Sequence, residues 1–133
     1  MATDEYPPLY LQGIEHFNCC DFFESHEAWE LLWAEYQGPA RKFYQGLIQT
    51  AVALHHFGNG NIRGAKKLYD SSRSYLEPYR PAYMGLDLEK FLAQFTSCFE
   101  EVLASTEEFP KIEIDAERIP EIHLDPPAAP AAE

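Results

Sequence analysis

Apolar residues recur at helical spacing along most of the chain. In "LYLQGIEHF", Leu9, Tyr10, Ile14 and Phe17 share one face and predict a short first helix that Asn18 can close. Asp21 followed by Glu24 has the spacing of a capping box, so a second helix is expected from Phe22 to about Tyr36. Gly38 and Pro39 then stop and restart the chain. A third helix over 40–57 is apolar around most of its circumference, as a central helix wrapped by neighbours would be. "GNGN" at 58–61 breaks it, Asn61 is a natural cap, and Ile62, Ala65, Leu68, Tyr69, Ser72 and Leu76 mark a fourth helix that ends near Glu77-Pro78. "YRPAYMG" reads as a loop. Asp87 then caps a fifth helix carrying Leu88, Phe91, Leu92, Phe95, Phe99, Val102 and Leu103 on one side.

From Phe109 onward the texture changes. "KIEI" and "PEIHL" alternate as extended segments do, and "DPPAAPAAE" has the composition of a disordered end. The expected architecture is all-α, a compact bundle of about five helices over 1–108 with an extended, acidic, Pro-rich C-terminal tail over 109–133, partly disordered. No parallel-sheet signal precedes the tail.

A chain of 133 residues can bury one core but not two independent ones. Its formal charge of -12 disfavours phosphate backbones and anionic lipid, so no nucleic acid and no membrane partner is expected. Residues 107–133 hold eight acidic and two basic side chains, leaving the helical body less acidic than the total implies. Cys19, Cys20 and Cys98 are odd in number and lack zinc-knuckle spacing. They fit a reducing, cytoplasmic setting, as does an acidic start without the basic and apolar parts of a signal peptide. Oligomeric state is left open, a homodimer included.

The second helix poses a chemical question. Advancing about 100° per residue from His26, Trp33 falls near -20°, Phe22 near -40°, Trp29 near -60°, Glu30 near 40°, Phe23 near 60° and Glu27 near 100°. His26 and Glu30 are bracketed by aromatic residues, which implies that Glu30, and Glu27 nearer the edge, are at least partly buried. A buried carboxylate needs a cation, a donor, a proton or a metal. On the third helix Arg41, Gln45, Gln49 and His56 fall within about 80° of one another. Two facing polar stripes are therefore expected to form a buried cluster of His26, Glu27, Glu30, Arg41, Gln45, Gln49 and His56.

Two readings of that cluster follow. In one, it is a structural network in a non-catalytic helical interaction domain, with Arg41 pairing a glutamate and fixing helix register. In the other, it floors a pocket for a small polar ligand, with acid/base or hydrolytic chemistry. Glu27, Glu30 and His26 are then the catalytic candidates, and Arg41, Gln45, Gln49 and His56 the ligand-binding ones. No cofactor is expected. A divalent metal held by His26, Glu30 and His56 is a weaker variant, because "HEAWE" lacks the second histidine of the zinc-protease motif.

Other features point to structure. His55 faces about 100° away from His56 and reads as a surface or packing residue. "GNGNIRGA" lacks the lysine of a phosphate-binding loop. The cysteines have no activating partner in sequence, and Trp29 and Trp33 read as core.

The stretches "FNCCDFFESHEAWELLW", "RKFYQGLIQTAVALHH" and "GNIRGAKKL" resemble a small all-α family of uncharacterised bacterial and archaeal proteins of unknown function. The resemblance covers about 9–103 and rests on F-N-x-x-x-F-F-E-x-H-E-x-W-E-x-x-W followed by Q-G-L-I-Q. It implies a compact helical domain and carries no activity to transfer. Its motif positions fall on Glu24, His26, Glu27, Glu30, Arg41, Gln45 and Gln49. Where the family commonly has glycine this chain has Cys20, so the turn before the second helix either avoids the left-handed conformation or stores strain.

Overall fold

The computed structural model describes residues 6–126. Helices α1 (Pro8–Asn18), α2 (Phe22–Glu35), α3 (Arg41–Gly58) and α4 (Ile62–Leu76) pack in sequence, each against the next. A 3-10 turn (Glu77–Tyr79) and a two-stranded antiparallel hairpin, β1 (Ala82–Tyr83) and β2 (Leu86–Asp87), lead into α5 (Leu88–Cys98) and α6 (Glu100–Ala104). The all-α, compact architecture expected from the pattern is what is found. Two details differ. The fifth helix breaks at Phe99 (φ -97°, ψ 9°), which makes six helices among the described residues. The "YRPAYMG" loop contains the hairpin, whose turn residues Met84 and Gly85 both have positive φ, as a two-residue connection of matching twist requires.

α3 lies between α2 and α4, and Phe43, Leu47, Ala51 and Leu54 on it are fully buried. α1 approaches α2 closely because Gly13 has no side chain. A Cβ there would stand only 2.1 Å from the Trp29 indole nitrogen. The contact is fixed by two hydrogen bonds from α2, Ser25 Oγ to the Gly13 carbonyl (2.8 Å) and Trp29 Nε1 to the Tyr10 carbonyl (3.1 Å).

Helix ends follow the expected caps in part. Asn61 Oδ1 accepts the Gly64 amide and Asp87 Oδ1 the Lys90 amide. Asp21 precedes α2, but its side chain accepts no amide, so the capping box is not made. The chain leaves α1 instead through a Schellman turn: the Cys20 amide donates to the Phe17 carbonyl and the Asp21 amide to that of His16. Cys20 sits there at φ 62°, and the strained alternative is the one adopted. Gly60 at φ 81° occupies the equivalent place after α3, where the Asn61 amide reaches the His56 carbonyl.

After α6 the chain runs as an extended strap with one 3-10 turn (Ala116–Arg118). Ile122 is buried beside α1, where Asn18 donates to its carbonyl and accepts its amide, both at 2.8 Å. Asn18, expected only to close α1, thus holds the strap. The Asp125 amide donates to the Gly85 carbonyl and Tyr6 Oη to the Asp125 carbonyl. The disorder expected for the Pro-rich end falls on 127–133, outside the described residues. Among the described residues no helix is long and apolar enough to cross a membrane.

Candidate functional site

The buried face of α2 is not centred on His26. It is centred on Ser25, which is fully buried together with Trp29 and flanked by Phe22 and Ala28. Relative to the expected face this is a rotation of about 100°, and it follows from the Gly13 contact, which draws the small Ser25 and the Trp29 edge against α1. Of the four aromatic residues that marked the expected face, Phe22 and Trp29 are buried, while Phe23 is 48% exposed and Trp33 half-buried.

The glutamates move accordingly. Glu27 and Glu30 are exposed, which corrects the expectation that they are buried. Glu30 Oε2 stands 3.8 Å from His26 Nε2, with the imidazole 19% and the carboxylate 57% exposed. Arg41 does not pair with either. It donates from Nη1 to the Trp33 carbonyl (3.0 Å) and the Tyr36 carbonyl (3.2 Å), with its guanidinium 4.0 Å from the centroid of the Trp33 ring. This closes the C-terminal end of α2, whose last carbonyls lack helical partners. Gln45 is half-buried, and Gln49 buries an Oε1 that has no hydrogen-bond partner, as does the Trp33 Nε1 donor. The single seven-residue buried cluster is therefore not formed.

Two of its members do meet. His26 and His56 line one cavity of about 270 Å3 with Phe22 and Phe23 from the start of α2 and Val52 and His55 from the end of α3. Adjacent pairs at opposite helix ends, Phe22-Phe23 and His55-His56, supply four of the six walls. The Phe23 ring stands between two imidazoles, 5.1 Å from His26 and 5.8 Å from His55, centroid to centroid. His55, read from its angle as a surface or packing residue, lines the same cavity. The doublets were the available signal.

Hydrogen bonding fixes the tautomers of His26 and His56. His26 Nδ1 lies 2.7 Å from the Phe23 carbonyl, which can only accept, so Nδ1 carries the proton and neutral Nε2 keeps its lone pair. His56 has the opposite arrangement. Asn61 Oδ1 is committed to the Gly64 amide, so its Nδ2 faces His56 Nδ1 at 3.3 Å as a donor, and the imidazole proton resides on Nε2. Burial lowers the pKa of His56 from the ordinary histidine value, and the neighbouring His55 lowers it further. Two imidazoles of opposite tautomer thus line one cavity.

A larger cavity, about 500 Å3, lies between α5 and the strap, with Asp87, Lys90, Gln94, Glu117, Glu121 and His123 in its lining. Its polar groups do not converge: Asp87 caps Lys90, Glu121 pairs with His123 at 2.9 Å, and the charged side chains are exposed. Among the described residues no three His, Cys, Asp or Glu side chains stand together as metal ligands, so His26, Glu30 and His56 do not make the metal set considered from the sequence.

Residues 10–68 match the family described as "Domain of unknown function (DUF309)". The chain is 36% identical over 101 residues to "Uncharacterized protein YpuF" of Bacillus subtilis (strain 168), an alignment covering 73% of this chain and 58% of that protein. It is 29% identical over 92 residues to an "Uncharacterized protein" of Aquifex aeolicus (strain VF5), covering 68% and 26%. The chain thus spans little more than half of the first relative's length and about a quarter of the second's. The matched segment runs from α1 through about the first half of α4 and includes both walls of the histidine cavity. Over residues 10–68 the chain is thus similar to a small uncharacterised family, DUF309.

Proposed function

We propose that the cavity between the start of α2 and the end of α3 binds a small ligand and exchanges protons with it. The observation that carries this is that two imidazoles of opposite tautomer line the same cavity, His26 with a lone pair on Nε2 and His56 with a proton there. A ligand reaching both can give a proton to His26 while receiving one from His56, with no net change of charge. Glu27, on the exposed side of the helix, has no part in it, and Arg41 acts on the end of α2.

Apolar walls with a few fixed polar groups are the ordinary composition of ligand cavities. The net charge of -12 argues against a nucleic-acid partner, and three unpaired thiols fit a reducing compartment such as the cytoplasm. The test is a long-range 15N–1H spectrum of the imidazoles near pH 7.5. The expected result is His26 protonated at Nδ1 and His56 at Nε2. Identical tautomers in the two rings would remove the acid–base pair and the proposal with it.

A further inference from the structure

We infer that the outer face of α2 is an interaction surface for a basic amphipathic helix of a partner protein. Its use does not depend on the neighbouring cavity taking a small ligand.

With Ser25 turned into the contact with α1, the helix repeat fixes what the opposite side of α2 presents. Phe23, Glu27, Glu30, Leu31 and Ala34 fall there within about 100° of one another, and all five are exposed. Phe23, which also lines the cavity, and Leu31 are 48% and 59% exposed. They are two of the four large apolar side chains left in solvent among the described residues. Exposed apolar residues scattered singly need no explanation. These two share one helix face, about 12 Å apart along its axis, with the Glu27 and Glu30 carboxylates between them. The face is therefore apolar at both ends and acidic in the middle.

Charge names the occupant. α2 carries four glutamates, all exposed, and no lysine or arginine. Among the described residues none of the four pairs with a lysine or arginine from another element. A partner helix has the same rise per residue, so apolar side chains eight positions apart with lysine or arginine between them match the whole pattern. The apolar ends then pack, and the cations meet Glu27 and Glu30 as flanking charges do between paired helices. The same carboxylates disfavour the other occupants. A second copy laid on this face sets the Glu27 and Glu30 pairs of the two copies against each other, a like-charge contact that opposes association. Phosphate backbones meet the same repulsion.

The probe is a helical alanine–glutamine peptide with two leucines eight positions apart and two arginines between them, titrated into the 15N-labelled full chain. The expected result is saturable shifts of the α2 amides, with affinity at least tenfold weaker when the leucines are replaced by alanine and lost when the arginines are replaced by glutamate. Glu27→Lys combined with Glu30→Lys should abolish binding of the arginine peptide and admit the glutamate peptide. Glu108→Lys combined with Glu113→Lys, exposed positions of the strap, makes the same change of net charge and should leave the arginine peptide bound within about twofold. Equal losses in the two double variants, or equal binding without the leucines, would reduce the effect to general attraction by an acidic chain and overturn the surface. Shifts centred away from α2, or no saturable binding at millimolar peptide, would overturn it as well. Self-association of the chain that Leu31→Glu abolishes would give the face to a second copy and overturn the partner class.

Discussion

Arg41→Ala separates the arrangement found from the buried ion pair that the sequence pattern implied. In the structure the guanidinium donates to two carbonyls at the end of α2 and covers one face of Trp33. A cation at a helix C-terminus contributes about 0.3–1 kcal/mol, a half-exposed cation–π contact about 0.5–1 kcal/mol, and the two hydrogen bonds about 1 kcal/mol between them once their partial exposure is allowed for. The expected loss is about 2 kcal/mol, read from the shift in the urea midpoint at unchanged slope. Breaking a buried ion pair would instead cost about 3–5 kcal/mol, because a carboxylate is stranded. Arg41→Lys keeps the charge and loses the flat stack, so about half of the loss is expected from it. The decisive quantity is the coupling between Arg41→Ala and Glu30→Gln in a double-mutant cycle. Independent sites add within about 0.5 kcal/mol. A coupling above ~1 kcal/mol, or a single-mutant loss above ~4 kcal/mol, would refute the helix-end role.

Gly13→Ala carries opposing terms: alanine gains about 1 kcal/mol in helix propensity, but a methyl placed against the buried Trp29 ring costs about 1–3 kcal/mol and strains its bond to Tyr10, about 1 kcal/mol more. A net loss of about 2 kcal/mol is expected in urea denaturation, whereas Gly58→Ala, with nothing near its Cβ, should be neutral or mildly stabilising. Cys20→Gly relieves a left-handed residue worth about 1–2 kcal/mol at an entropic cost of about 0.5–1 kcal/mol; the midpoint should rise slightly, and a fall would contradict the strain. Ellman's reagent should titrate Cys19 and Cys20 in the folded chain but Cys98 only after unfolding, since Cys98 is buried and its thiol pushed up to about 12 by burial, with Asp115 adding to the effect. His56 binds a proton less readily folded than unfolded, so the unfolded chain holds more protons as pH falls through the ordinary histidine range and stability drops there. His56→Gln should reduce that drop between pH 7.5 and 5.5, and an unchanged profile would show that His56 contributes nothing to it.

The helices were legible because their signals are local. Spacing of large apolar residues located α1 to α5, and the Asn61 and Asp87 caps hold as the pattern implied. The break at Phe99 was not legible, since the residues on both sides continue one apolar face. Nor was the hairpin, whose strands are too short for alternation to register. Asn18 looked like a helix terminator, and its contact with Ile122 joins residues more than a hundred positions apart. No local pattern encodes such a contact.

The candidate site was half legible, and the reason lies in α1. On α2 the aromatic residues were taken to mark the core, yet the face is set by the two smallest groups at the helix contact, Gly13 and Ser25. A hydrophobic scale gives a serine no weight as an anchor. Once Ser25 and Trp29 face α1, Glu27 and Glu30 must face water and His26 must stand at the rim, where the end of α3 brings His55 and His56. The close approach of α1 to α2 thus exposes the carboxylates and opens the histidine wall in one rotation. It follows that the chemistry of the cavity depends on a glycine whose helix contributes none of the cavity's lining.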